Sequence, residues 1–143
     1  MAKDRFKLIP AVHLFLIRGD EVLLSLRENT GYEDGNYSVV AGHLDGGEEV
    51  VEAAIREARE EAGIELAADD VDVVGIMHRN SGRERVDFFV GATRWNGSIV
   101  NCEPDKCGGL EWFALHDLPE NMVEYVRVAL EKFRQEQWFC SYG

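Results

Sequence analysis

Glutamate is concentrated in one short stretch of this sequence, with seven between positions 48 and 65. On an α-helix, Glu57, Glu60 and Glu61 would share one face, because their spacing is three and four residues. Like charges so placed cost an isolated helix roughly 0.2–0.5 kcal/mol per pair. Mg²⁺ takes carboxylate oxygens as ligands and bridges them to substrate phosphates. The pattern therefore predicts a Mg²⁺ site, where Mn²⁺ would substitute; a solvated acidic helix face is the alternative.

The residues that precede this stretch have the composition of a ligand-binding loop. Three glycines in Gly42-His43-Leu44-Asp45-Gly46-Gly47 allow a tight turn and a close backbone approach at a helix N-terminus. Within the helix, Arg56 stands four residues before Glu60, so the two can form an ion pair. The loop and the acidic helix together suit a phosphorylated ligand held through a cation.

The combined pattern resembles the Nudix box, G-x5-E-x7-R-E-U-x-E-E-x-G-U, in which U is a bulky aliphatic residue. Eight of its nine defined positions match, the ninth being the smaller Ala58, and the matches are Gly42, Glu48, Arg56, Glu57, Glu60, Glu61, Gly63 and Ile64. The resemblance implies an α/β/α sandwich and the hydrolysis of a nucleoside diphosphate linked to another moiety.

The same resemblance assigns roles to the residues of the box. Glu57, Glu60 and Glu61 would bind the metal, one of them doubling as the base, and Arg56 would orient these acids. Glu48 would tie the loop to the helix or bind a second metal through water, and the Gly42 carbonyl would join the metal shell. Beyond the box, Glu103 lies where several Nudix enzymes keep an additional metal-binding glutamate; an ordinary loop acid is the alternative.

The substrate is less well specified by the sequence. Ala41 stands where a proline commonly precedes the box, and the signatures of ADP-ribose, diadenosine polyphosphate and NADH enzymes are absent. What remains resembles the small mutator-type enzymes, which convert nucleoside triphosphates, including oxidised ones, to the monophosphate and pyrophosphate. The alternatives are a nucleotide-binding module without catalysis and a hydrolase of another conjugate, such as a nucleotide sugar or an RNA 5′ end.

Four residues are candidates for binding the nucleoside. Asn121 would read a base edge, as an asparagine before the closing helix does in mutator-type enzymes; the alternative is a helix N-cap. Tyr32 and Tyr37 flank the loop before the box and could stack on a base. Trp112 could do the same, although core packing is the alternative there.

Hydrophobic periodicity predicts the elements that would position these residues. Strands are expected at 7–17, 22–26, 37–40, 71–78, 85–95 and 110–113, and helices at 48–62 and 121–135. Asp45 and Glu48 have capping-box spacing, and Gly63 suits the left-handed position after a helix. This order implies an α/β fold with a mixed central sheet between helices, in one domain spanning 1–143.

Composition limits the remaining function classes. The formal net charge of −12 opposes broad binding to nucleic acid polymers or anionic membranes, leaving a small nucleotide as the expected partner. Three cysteines and no recognisable signal peptide predict reduced thiols and a cytoplasmic location. The apolar tail 138–142 is expected to pack onto the protein or to meet a second subunit in a homodimer.

Overall fold

The computed structural model describes residues 4–143 and contains a mixed eight-stranded sheet with two α-helices. Its elements, in chain order, are β1 (Ile9–Arg18), β2 (Glu21–Arg27), β3 (Tyr37–Ser38), β4 (Ala41–His43), α1 (Val50–Ala62), β5 (Val71–Ser81), β6 (Arg83–Ala92), β7 (Cys107–Ala114), α2 (Glu124–Arg134) and β8 (Phe139–Tyr142). The α/β class and the mixed sheet predicted from the sequence are confirmed. Within 4–143, no helix is long and apolar enough to cross a membrane.

Strand β1 lies at the centre of the sheet and has three neighbours. It pairs in parallel with β6 along most of its length. On its other side it pairs antiparallel with β4 near its start and with β2 at its end. The predicted box glycine, Gly42, lies on β4 opposite Val12 of β1. Strand pairing therefore fixes its backbone directly against β1.

The two faces of the sheet bury separate apolar clusters. Val12, Leu14 and Leu16 face the alanine-rich side of α1, whereas Phe15 and Ile17 pack in the cluster that contains the apolar face of α2. This alternation follows the two-residue period of a strand, and it explains why 11–17 form an almost continuous buried run, as expected for a strand covered on both faces.

Helix α1 begins later than the sequence predicts. Its N-cap is Glu49, whose side chain accepts a hydrogen bond from the Val51 N–H and whose N–H donates to Glu52. The predicted Asp45–Glu48 pair does form a hydrogen bond, at 3.1 Å, but inside the preceding loop. The predicted C-cap at Gly63 is confirmed, with φ of 67° in the left-handed region.

The structure tests two predictions for the C-terminal third: the start of the second helix differs from prediction, and the packing of the apolar tail onto the protein is confirmed. Helix α2 starts at Glu124 with Val123 as its N-cap, so Asn121 precedes the cap and the capping alternative for Asn121 is wrong. The apolar tail packs onto the protein as the short strand β8, parallel to β5, with Trp138 and Phe139 exposed.

A buried polar group lies between the sheet and α2. Arg79 on β5 donates two hydrogen bonds to Asp87 on β6, and its guanidinium lies 3.7 Å from the centre of the Tyr125 ring. The Tyr125 hydroxyl lies 2.9 Å from Nε2 of His13. Burial lowers the pKa of His13 to about 4, so this histidine is neutral in the folded protein at pH 7.

The buried His13 makes stability depend on pH. Because its folded pKa lies below its ordinary value, the unfolded chain binds the proton more tightly, and stability falls as pH drops from about 6.5 towards 4. We expect His13 to account for a loss of roughly 2 kcal/mol at pH 5. Urea unfolding at pH 7 and pH 5 should show a smaller loss in His13→Leu than in the unsubstituted protein. Equal losses in the two proteins would contradict this assignment.

Candidate active site

Gly42 on β4 provides the space in which the carboxylate of Glu57 lies. A Cβ atom on Gly42 would fall 2.0 Å from Oε1 of Glu57, far inside van der Waals contact. Glu57 is nevertheless on the buried side of α1, with only 7% of its surface exposed. A side chain at position 42 would therefore displace this carboxylate, so the box requires glycine here for a steric reason.

Arg56 connects three of the four acidic residues of the box. It donates to both oxygens of Glu48, at 2.7 and 3.1 Å, and its Nη1 contacts Glu57 at 2.8 Å and Glu60 at 3.2 Å. Its Nη2 also donates to the carbonyl of His43, which ties the glycine loop to α1. These hydrogen bonds lower the pKa of Glu48 and raise that of Arg56, because each stabilises the charged forms.

Glu57 and Glu61 form a partly buried pair of carboxyl groups. Burial, followed by a hydrogen bond with Glu57 and the charges of Glu57 and Glu103, raises the pKa of Glu61 well above its usual range. Within the described chain, Oε2 of Glu61 is buried without a hydrogen-bond partner. Carboxylates crowded in this way are stabilised by a proton or a hard cation, so the donor set fits Mg²⁺ or Mn²⁺.

The structure brings some of the predicted metal ligands closer together than others. Glu57 and Glu61 are in contact, and Glu103 is near enough for its charge to raise the pKa of Glu61. Glu60 turns outward, with 54% of its side chain exposed, and joins the set through Arg56. In residues 4–143, no three His, Cys, Asp or Glu side chains converge on one point. Glu57 and Glu60 therefore share the cation of Arg56, whereas Glu61 contacts Glu57.

Two cavities meet at Ala41 and Arg27, beside these acids. We call the first the polar cavity; it measures about 300 Å³ and is lined by Ser25, Arg27, Thr30, Ser38, Val39, Ala41, Glu61, Glu103, Lys106 and Cys107. We call the second the arginine cavity; it measures about 450 Å³ and is lined by Ala11, His13, Arg27, Tyr32, Ala41, Gly42, His43, Arg79, Arg85 and Tyr125. The polar cavity contains the acids expected to bind a metal, and the arginine cavity borders Gly42.

Of the four residues predicted to bind the nucleoside, Tyr32 lines the arginine cavity, where the Arg27 guanidinium lies 5.3 Å from its ring centre. The other three occupy different surroundings. Tyr37 donates to Glu111, Trp112 stacks on Trp95, and Asn121 donates to the carbonyl of Gly35. Tyr32 is therefore the best placed of the four to contact a ligand beside the box.

The sequence did not predict that Arg79, Asp87 and Tyr125 belong to this site. One available signal was the two-residue period of β6: Asp87 and Phe89 lie on the same face of the strand, and both are buried. A charged residue in phase with a core phenylalanine requires a partner, and Arg79 lies on the neighbouring strand of the same hairpin. Tyr125 carried no such signal, because only the packing of α2 brings it to the cavity.

The contact between Gly42 and Glu57 leads to a test of the metal site. Gly42→Ala should weaken Mn²⁺ binding, followed by electron paramagnetic resonance, by about ten-fold or more, because the new methyl group displaces a carboxylate. Gly109→Ala is the matched control, since a Cβ there meets nothing within 4 Å. Equal Mn²⁺ affinity in the two variants would show that Glu57 does not bind the ion from this position.

Comparisons with known proteins agree with the geometry. The model of the NUDIX domain matches residues 7–133. The NAD-capped RNA hydrolases NudC of Pseudomonas entomophila and Pseudomonas aeruginosa (strain LESB58) are 31% and 34% identical over 113 residues, or 79% of this chain. The chain spans only 39% and 38% of those relatives.

Among solved structures, a MutT NUDIX hydrolase from Burkholderia pseudomallei superposes with a TM-score of 0.80 at 29% identity. The superposition covers 88% of this chain and 98% of that one. The match of the family model over most of the chain, together with the arrangement of the box residues around Gly42 and Arg56, places this protein in the Nudix family.

Proposed function

We propose that this Nudix hydrolase cleaves nucleoside triphosphates, including oxidised ones, to the nucleoside monophosphate and pyrophosphate in a Mg²⁺-dependent reaction. The observation that carries the proposal is the Glu57–Glu61 carboxyl pair beside Gly42, with an unpartnered Glu61 oxygen, next to two cavities that supply cationic side chains. The MutT-type solved structure supports the same activity class.

Different residues of the site would bind the divalent ion and the phosphates of the substrate. Glu57, Glu60 and Glu61 would hold the divalent ion, with Glu103, Glu48 and the Gly42 carbonyl as additional donors. When bound, Mg²⁺ supplies charge neutralisation at the phosphate oxygens and lowers the pKa of a coordinated water. Arg27 and Lys106 line the polar cavity together with Glu61 and Glu103, and their positive charges can balance further phosphate charge.

The chemical step consumes one water molecule. Its oxygen forms a bond to a phosphorus, the bond from that phosphorus to the bridging oxygen breaks, and the bridging oxygen leaves with the other product. One glutamate of the set accepts the proton of the attacking water. Arg56 is a positioning residue, because it fixes Glu48, Glu57 and Glu60 simultaneously and so orients the acids before the substrate binds.

Hydrolysis of an RNA 5′ end or another nucleotide conjugate is the second candidate, since the NudC relatives are NAD-capped RNA hydrolases. The net charge of −12 disfavours long RNA as the ligand, but a short 5′ end needs only the two cavities. Incubation with NAD and with an NAD-capped RNA of the same 5′ sequence would separate a small-molecule hydrolase from an RNA-directed one.

The metal-binding assignment can be tested by substitution. Glu57→Gln, Glu60→Gln and Glu61→Gln should each lower kcat by roughly 10²-fold or more, about 2.7 kcal/mol, because each removes a charge that holds the ion. Glu61→Gln should also keep or raise the Tm, since it relieves the buried carboxylate pair. Glu131→Gln, on the exposed side of α2, is the control and should change neither quantity. Near-normal, Mg²⁺-dependent turnover in all three variants would exclude this set of ligands.

The products identify the bond that is cut. A nucleoside triphosphate should yield the monophosphate and pyrophosphate in equal amounts, and a reaction run in ¹⁸O-labelled water will show which phosphorus the water attacks. Because charge is balanced by a divalent ion, removing that ion should abolish product formation while circular dichroism shows an unchanged fold. Release of a diphosphate and orthophosphate from every triphosphate tested is the result that would refute this cleavage pattern.

A further inference from the structure

The arginine cavity differs in charge from the rest of the protein. Its lining includes Arg27, Arg79 and Arg85 and, within the described chain, no aspartate or glutamate. The whole protein carries a net charge of −12. The three guanidinium groups around this cavity of about 450 Å³ make its local charge positive, opposite to that of the protein as a whole. Clusters of like charge are unfavourable unless an opposite charge lies between them.

The strand register increases this repulsion. Arg79 and Arg85 are directly opposite each other on the antiparallel strands β5 and β6, and like charges in that position destabilise a sheet. Asp87 balances the charge of Arg79. The two hydrogen bonds between them come from Nε and Nη2 of Arg79 and do not involve its Nη1. Within residues 4–143, Arg85 makes no ion pair, and Arg27 donates to neutral oxygens of Tyr32 and Thr30.

The guanidinium of Arg79 is also rigidly placed. Only 5% of its residue surface is exposed, Asp87 holds one edge of it, and Tyr125 covers one of its faces at 3.7 Å. A buried, fixed guanidinium at the wall of a cavity is suited to binding an anionic group, because little side-chain entropy remains to be lost.

We propose that the arginine cavity binds an additional anionic group of the substrate, a phosphate beyond the two that flank the scissile bond. This inference rests on the proposed function for the identity of the substrate as a nucleotide. Two sources share the chemistry: the third phosphate of a nucleoside triphosphate, and a phosphate on the ribose, as in a 3′-phosphorylated nucleotide or the second residue of an RNA 5′ end. A nucleotide with only the scissile diphosphate leaves the arginine charges unbalanced.

Binding without divalent ions separates this proposal from the hydrolytic one. The probes are ADP, ATP and adenosine 3′-phosphate 5′-diphosphate, titrated by calorimetry in buffer freed of metals by a chelating resin. All three share one base, so affinity differences report the additional phosphate alone. We expect at least one of the two triply phosphorylated probes to bind about ten-fold or more tightly than ADP. ATP would identify the third phosphate of the chain, and the 3′-phosphorylated probe the ribose side.

Arg85→Gln is the decisive variant, because among residues 4–143 Arg85 makes no ion pair whose loss would affect folding. It should remove the ten-fold gain. Arg83→Gln, two residues away on the same strand and exposed outside the cavity lining, should retain it. Equal affinity for all three probes, or the same loss in both variants, would overturn the proposal. Failure of the glutamate substitutions to reduce turnover would instead refute the proposed chemistry and leave this binding result standing.

Discussion

The acidic face of α1 depends on one cation, the guanidinium of Arg56. Four carboxylate-bearing residues lie around it, at N–O distances of 2.7 to 3.4 Å for Asp45, Glu48, Glu57 and Glu60. Without it, the glycine loop and the helix would repel each other through their own charges. Since Arg56 also donates to the carbonyl of His43, the same group that balances the charge fixes the distance between loop and helix. A lysine could not replace it, because a single ammonium lacks the planar set of donors that reaches several acids simultaneously.

The sheet provides the other half of this arrangement. Strand β1 pairs with both β4 and β2 along one side, so Gly42 is held by backbone hydrogen bonds and not by a loop alone. The alanines of α1 allow the helix to approach this strand closely, and Ala53, Ala54, Ala58 and Ala62 are all fully buried. The small residue at position 58, which departs from the family pattern, belongs to this close approach.

How much of this could be read from the sequence depends on the range of the interaction. The box residues, the C-cap at Gly63 and the two-sided burial of β1 follow from local spacing, and they were predictable. The start of α1 was not, because glutamate at position 49 acts as an unusual cap. Strand β8 has only four residues and forms by pairing with β5. The paired residues, such as Ile76 and Phe139, are far apart in the sequence, so no local pattern predicts their contact. The contacts of Arg79 with Asp87 and Tyr125 form only when the β5–β6 hairpin and α2 pack together.

The same difference in range divides the site into two parts with opposite charge. Local sequence encodes the acidic part, since the glutamates of α1 are three and four residues apart. Tertiary packing creates the basic part, since Arg27, Arg79 and Arg85 come from three strands. A polyphosphate is the ligand that such a pair of surfaces suits, because its charge can be shared between a metal held by carboxylates and guanidinium groups that need no metal. Gly42 borders both parts: its missing side chain admits Glu57 on one side, and its backbone forms part of the arginine cavity on the other. Gly42 thus contacts both the acidic and the basic part of the site.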